Sequence, residues 1–245
     1  MILSRGNILN FHIFILTCFL GFTGAFASNK IRNDSAILVK HYYPGGILME
    51  QGYMLKDFKH GPWKYYFEDG KIKSEGNYSN GKQEGWWKEI YENGNECILG
   101  CFDQGQKTAH WKFYHKNGII WKEGEYVNDK KEGWWTVYDE NGQMLSIGQF
   151  ENNKKEGYWK FYNIDGILIS EGQYHNGEKI DWWKEYTEKG DLEAEGYYQM
   201  DLKNGFWTHF IDNRKECEGN YVEGAREGNW KYFDEQGFLL KVYEY

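Results

Sequence analysis

The sequence predicts an all-β protein: an elongated single-sheet array of 24-residue β-hairpin repeats, a twisted ribbon about eight to nine repeats long. Three observations carry this. A tryptophan recurs every 24 residues, at Trp63, Trp87, Trp111, Trp135, Trp159, Trp183 and Trp207, with Trp230 following after a single deletion. Glycines accompany each tryptophan at constant offsets. The composition, with 19% aromatic residues, 30 Gly and only 2 Pro, suits twisted strands joined by glycine turns rather than helices or a disordered polar tract. A period of this length marks units that bury their apolar faces only against their neighbours.

In chain order, residues 1–27 come first. They carry one charge, Arg5, ahead of the apolar run from Phe11 to Phe26 and the ending Ala25-Phe26-Ala27, the pattern of a secretory signal peptide. The run is shorter than the ~20 residues that a membrane-spanning helix needs, so export to a periplasm, a cell surface or the medium is expected. Residues 28–38 form a short N-terminal segment and residues 39–245 the repeat domain. Val39 replaces the tryptophan in the first unit, and the last unit stops after one hairpin at Tyr245. Atypical end units are what capping an array requires.

Within each unit, a Gly falls seven residues after the tryptophan, as at Gly70, Gly94, Gly118, Gly142, Gly166 and Gly190, and reads as a hairpin turn. A second Gly falls thirteen after it, as at Gly76, Gly100, Gly124 and Gly148, with an aromatic two residues further on, as at Tyr78, Phe102, Tyr126 and Phe150. A second polar turn follows, such as Asn80-Gly81 or Asn128-Asp129. Each unit is therefore strand, turn, strand, turn.

A four-residue loop at the first turn would oppose Trp63 to Gly76, Gly61 to Tyr78 and Lys64 to Glu75. Each ring is then expected to lie over the bare glycine it opposes. The same rule pairs Lys112 with Glu123, Lys160 with Glu171 and Lys184 with Glu195, and matches Thr136 with Ile147 where the lysine is missing. Lys88 facing Leu99 and Thr208 facing Glu218 are unmatched. Alternation places the tryptophans, the second aromatics and the aliphatic column Leu48, Ile72, Ile120, Met144, Leu168, Leu192 and Leu239 on one buried face. The Lys and Glu columns share the other face with Tyr66, Tyr114, Tyr138, Tyr162 and Tyr186.

In the form Gly-x-Trp-Lys-x-Tyr-x-x-x-Gly and Glu-Gly-x-Tyr-x-x-Gly-x-x-x-Gly-x-Trp, these residues resemble MORN repeat proteins, and in particular the variant MORN repeat of the bacterial YwqK-type antitoxin-like family. The resemblance covers about 85% of the chain. It implies an elongated hairpin scaffold for protein or membrane contacts and, for the antitoxin-like members, a toxin partner. The export signal departs from the antitoxin pattern.

No catalytic constellation stands out. Histidines sit at dissimilar repeat positions without metal-ligand spacing, and carboxylates occur as repeated columns rather than as one pair in unlike environments. The sequence has no nucleophile elbow and no phosphate loop, so no enzyme activity, cofactor or metal is expected. Cys97 and Cys101 lie four apart on one expected strand, roughly 13 Å at ~3.3 Å per residue, which is beyond disulfide reach, so with Cys217 no disulfide framework is expected. Removing Arg5 with residues 1–27 from the 29 basic residues leaves 28 against 37 acidic ones, net −9. This acidity argues against nucleic acid and against an anionic membrane surface as partners.

The column directly before each tryptophan of the 24-residue series, the clock tryptophans, is the candidate partner-binding stripe: Trp86, His110, Trp134, Tyr158, Trp182 and Phe206, flanked by Pro62 and Asn229. Alternation turns it away from the clock tryptophans. Rings in such a row can cover the second face or, if exposed, anchor a protein partner or stack on a glycan. A protein partner is the first expectation, and glycan or cell-envelope binding the alternative.

Overall fold

The computed structural model describes residues 35–245. The expected signal peptide at 1–27, with Arg5 and Cys18, and the segment from 28 to 34 lie outside the described residues. The described chain is one open antiparallel sheet of 18 strands. The first half comprises β1 (Ile37–Tyr42), β2 (Leu48–Leu55), β3 (Phe58–Tyr66), β4 (Ile72–Ser79), β5 (Lys82–Ile90), β6 (Glu96–Asp103), β7 (Gln106–Tyr114), β8 (Ile120–Val127) and β9 (Lys130–Tyr138). The second half comprises β10 (Met144–Glu151), β11 (Lys154–Tyr162), β12 (Leu168–His175), β13 (Glu178–Tyr186), β14 (Leu192–Gln199), β15 (Leu202–Ile211), β16 (Arg214–Val222), β17 (Ala225–Phe233) and β18 (Leu239–Glu244). Each strand pairs with the next in the chain, so the sheet is a meander in sequence order.

The expected register is present from the tryptophan outwards. Trp63 opposes Gly76, Gly61 opposes Tyr78 and Lys64 opposes Glu75; Thr136 opposes Ile147, and Lys184 opposes Glu195. Toward the first turn the register differs. The Phe67 amide donates to the Lys71 carbonyl and the Gly70 amide to the Phe67 carbonyl, so the loop has three residues, closed by Gly70 at φ 83°, where a side chain would strain the backbone. Tyr65 opposes Ser74 but Tyr66 opposes Ile72, which leaves Lys73 as a bulge residue. A one-residue bulge reverses the parity of everything beyond it. The aliphatic column therefore does not join the tryptophan face: Ile72, Ile120, Met144, Leu168 and Leu192 oppose Tyr66, Tyr114, Tyr138, Tyr162 and Tyr186 and stand half-buried on the tyrosine face.

The second turns are two-residue loops with positive φ at both positions, such as Asn80 and Gly81 at 49° and 81°, or Asn152 and Asn153 at 51° and 70°. These are the mirror-image turns whose twist matches the strands they join. The deletion between Trp207 and Trp230 shortens the first turn of the Trp207 hairpin to the same form, with Asp212 and Asn213 at 50° and 59°.

A second bulge lies between each tryptophan strand and the hairpin before it. Gly52 opposes Trp63 while Tyr53 opposes His60, so Gly61 and Pro62 are extra. The first of these two residues has positive φ in every tryptophan-bearing unit, from 56° at Asp181 to 69° at Gly205. These glycines serve the bulge and carry no ring: a Cβ at Gly61, Gly85 or Gly133 would meet nothing within 4 Å. The ring-over-glycine contact belongs to the other glycine column, and its partner is the preceding strand. The Trp63 indole covers Gly52, Trp87 covers Gly76 and Trp159 covers Gly148, each so closely that a Cβ would overlap the ring.

The indole N–H then donates to the carbonyl where the bulge interrupts the ladder. Trp87 bonds to Asn77 at 3.1 Å, Trp135 to Glu125 at 3.1 Å and Trp207 to Tyr197 at 2.8 Å. The second aromatics stand edge-on between consecutive indoles, with Tyr78 at 5.9 Å from Trp63 and 5.2 Å from Trp87, and Phe150 at 6.1 Å from Trp135 and 5.2 Å from Trp159. Edge-to-face pairs of this kind add to the area that the rings bury, and the clock tryptophans are the main buried core of the sheet.

Candidate functional site

The stripe residues occupy the second position of the inter-unit bulge, and that position explains their exposure. The bulge lifts them out of the ladder on the side facing the preceding hairpin, while they remain paired on the other side. Trp86 opposes Cys101, Trp134 opposes Gln149 and Trp182 opposes Tyr197. All six rings are exposed, including Trp86 at 62%, Trp134 at 56% and Trp182 at 37%. The clock tryptophans one residue later are at most 5% exposed. Parity places the stripe on the face of the Lys, Glu and Tyr columns, and the structure brings all of these together.

Those columns interlock around the rings. Lys64 meets Glu75 at 3.1 Å, Lys112 meets Glu123 at 3.7 Å and Lys160 meets Glu171 at 3.6 Å. Tyr186 donates to Glu171 at 2.8 Å, and Tyr138 to Glu123 at 3.3 Å. His110 lies 3.1 Å from Glu123. Burial opposes ionisation of Glu171, but hydrogen bonds from Tyr186 and Tyr158 and the Lys160 ammonium hold its carboxyl below the usual range. The Tyr158 phenol is pushed up to about 12 by desolvation and then by the bond to Glu171.

Between successive stripe rings lie shallow clefts. One of about 330 Å³ is lined by Tyr158, Glu171, Gln173, Asp181, Trp182 and Lys184. Trp182 stands 4.9 Å from Tyr197, edge to face. Such a surface offers flat apolar rings with both signs of charge beside them. It can hold a ligand, but presents no nucleophile aligned with a base.

A larger open cavity of about 600 Å³ lies elsewhere, lined among others by Phe67, Ser74, Glu89, Tyr91 and Cys97. Glu89 stands there at a position filled by Tyr65, Phe113 and Phe161 in other units and by Glu185 in one. Among the described residues, Cys97, Cys101 and Cys217 form no disulfide. Among the described residues no three His, Cys, Asp or Glu side chains form a group able to hold a metal.

Sequence reasoning missed one column. Four residues before the clock tryptophans stand Lys59, Lys107, Lys131, Lys155, Lys179, Lys203 and Arg226, with Gln83 as the exception. Each of these cations lies over the indole of its own unit, at 3.9 to 4.8 Å from the ring centroid. The spacing was visible in the sequence. Four residues apart on one strand, lysine and tryptophan share a face by alternation, and the two-residue bulge between them shortens the strand so that the cation reaches the indole.

Residues 59–80, 107–128 and 131–152 match the family profile of the MORN repeat variant. No curated protein matches the chain. Among solved structures, the chain is similar to the crystal structure of TcdB2-TccC3 without its hypervariable C-terminal region, at 12% identity and a TM-score of 0.21, over 84% of this chain and 13% of that one. It is also similar to the Tc holotoxin pore of Photorhabdus luminescens, at 11% identity and a TM-score of 0.20, over 85% of this chain and 15% of that one. The chain thus spans only a small part of the length of these structures.

Proposed function

We propose that this chain of MORN variant repeats is a non-catalytic binding scaffold, exported by way of residues 1–27, which takes a protein partner along the row Trp86, His110, Trp134, Tyr158, Trp182 and Phe206. One observation carries the reading: the row is exposed ring after ring on a face whose remaining columns are engaged with one another. A row of this length exposed to water is unfavourable unless something covers it, and Trp and Tyr are the residues that dominate interface energetics. Lys and Glu beside the rings supply both signs of charge, as the rim of a protein interface does. An antitoxin-type role is the case in which that partner is a toxin.

The test is a photo-crosslinker placed at Trp134, compared with the triple variant Trp86→Ser, Trp134→Ser, Trp182→Ser. A discrete protein adduct from position 134, together with partner binding weakened roughly a hundredfold or more in the folded triple variant, is expected. Unaltered partner binding in that variant, or retention on envelope glycans with no protein adduct, would overturn the reading.

A further inference from the structure

The face bearing the clock tryptophans has a charge pattern unlike that of the chain as a whole. The sequence is acidic, at net −8, yet the middle of this face is basic. Lys107, Lys131, Lys155 and Lys179 lie over Trp111, Trp135, Trp159 and Trp183 at 4.2 to 4.8 Å. Lys122 lies over Trp121 at 3.9 Å.

At the two ends of the column the cation has a partner of its own. Lys59 meets Glu50 at 2.9 Å, Lys203 meets Glu185 at 2.9 Å and Arg226 donates to the Tyr232 hydroxyl at 2.7 Å. Before Lys131, Lys155 and Lys179, Phe113, Val137 and Phe161 occupy the position that Glu185 holds for Lys203, and Glu89 occupies it before Lys107. Among the described residues, none of the five central lysines is in an ion pair. Burial, and then repulsion from a neighbouring lysine, hold Lys122, Lys131 and Lys155 below the ordinary lysine range. Glu185 and then Asp201, which accepts from the Lys179 amide at 2.8 Å, offset part of this at Lys179, Asp201 does so at Lys155, and Asp129 accepts from the Lys107 amide in the same way.

We propose that the row Lys107, Lys131, Lys155 and Lys179, with Lys122 beside it, binds a linear acidic polysaccharide carrying one carboxylate per disaccharide and lying across the strands. Consecutive lysines are two strands apart, ~10 Å at ~4.8 Å per strand, which is close to the length of one disaccharide in an extended chain. Ser146 and Ser170 share this face, both opposing Phe161, and offer hydroxyls between the cations.

Other polyanions fit less well. Duplex nucleic acid carries a charge every ~1.7 Å of axis, far denser than the row. An anionic bilayer is a plane, whereas the row is one residue wide in an acidic chain. An acidic peptide crossing the strands would set its backbone amides against the rings of Phe113, Phe161 and Tyr174, where they find no partner. A sugar chain keeps its hydroxyls at the rim and in water.

The test is isothermal titration of the full chain with a hyaluronan decasaccharide, which alternates glucuronate with a neutral sugar. Binding that weakens as salt rises from about 0.05 M to about 0.5 M is expected, with none for the carboxyl methyl ester. The variant Lys107→Gln, Lys131→Gln, Lys155→Gln, Lys179→Gln should lose roughly tenfold or more. Gln83 already occupies this column before Trp87, so the fold accepts the substitution, and near-ultraviolet circular dichroism checks it. Arginine at all four positions, as at Arg226, should retain binding, and Lys131→Gln or Lys155→Gln alone should each weaken it.

Serine at Trp86, Trp134 and Trp182, on the opposite face, should leave sugar binding unchanged, which separates this site from the ring row. Three results would overturn the proposal: no binding at about 1 mM, the weakest affinity worth calling specific; undiminished affinity in the folded glutamine variants; or tighter binding of polyglutamate or phosphatidylserine vesicles than of the decasaccharide.

Discussion

A methyl group added at Gly148 would overlap the Trp159 indole, whereas one added at Gly133 would meet open space at a backbone φ of 63°. The two glycine columns therefore fail for different reasons. Gly148→Ala should destabilise the sheet by about 1–3 kcal/mol through overpacking. Gly133→Ala should lose only about 1–2 kcal/mol, the cost of the left-handed conformation, which Ala109 already adopts at 57° in the same column. Urea denaturation should rank Gly148→Ala as the more damaging, and a larger loss at Gly133 would reverse the assignment of the two columns.

His209 gives a residue-scale prediction in pH. It stacks on Trp207 at 6.1 Å, and burial, followed by the charges of Lys203 and Arg226, pushes its pKa down from 6.5 to about 4. Between those values the unfolded chain binds the proton and the folded chain does not, so this group's share of stability is present above pH 6.5 and is lost as pH falls toward 4. His209→Phe, the residue type found at Phe113 and Phe161 in that column, should flatten the fall in thermal midpoint over this window.

At the scale of the strand, the inter-unit bulge has three consequences. It requires a positive φ, it interrupts the ladder so that a carbonyl is left for an indole N–H, and it lifts the next side chain outward. The bond from Trp135 to the Glu125 carbonyl shows the second consequence, and the exposure of Trp134 shows the third. Trp135→Phe keeps an aromatic ring but removes the hydrogen bond to the Glu125 carbonyl, at a cost of about 0.5–1.5 kcal/mol. Trp134→Phe, one residue earlier, should change stability by less than about 0.5 kcal/mol. A comparable loss at both positions would show that the bulge does not divide the two columns as described.

Over the whole sheet, each strand is held by its neighbours in sequence, and β1 and β18 each have one unpaired edge among the described residues. Stability in such a meander is approximately a sum of unit and nearest-neighbour contributions. Val39 stands in place of the first tryptophan, and β18 is exposed along its length. Amide hydrogen exchange should therefore be slowest in β7 to β13 and fastest in β1 and β18. Trp87→Phe and Trp207→Phe, far apart in the meander, should have effects that add within about 0.5 kcal/mol.

The repeat, the strand and turn sequence, and the pairing of Trp63 with Gly76 or Lys112 with Glu123 were legible in the chain of letters, because period, turn chemistry and alternation are local properties. The face taken by Ile72 and Leu168 was not legible, since a single bulge residue reverses parity and whether one forms depends on how the three-residue loop closes. Nor was the glycine beneath each indole. Trp63 has a glycine opposite it on both sides, Gly52 and Gly76, and only side-chain packing selects Gly52. The exposure of Trp86, Trp134 and Trp182 and the stacking of Lys131 on Trp135 follow from the other bulge. The recurring Gly two before the tryptophan marks a special backbone position, but not that two residues are extra, because a bulge is defined only by what the neighbouring strand leaves unpaired.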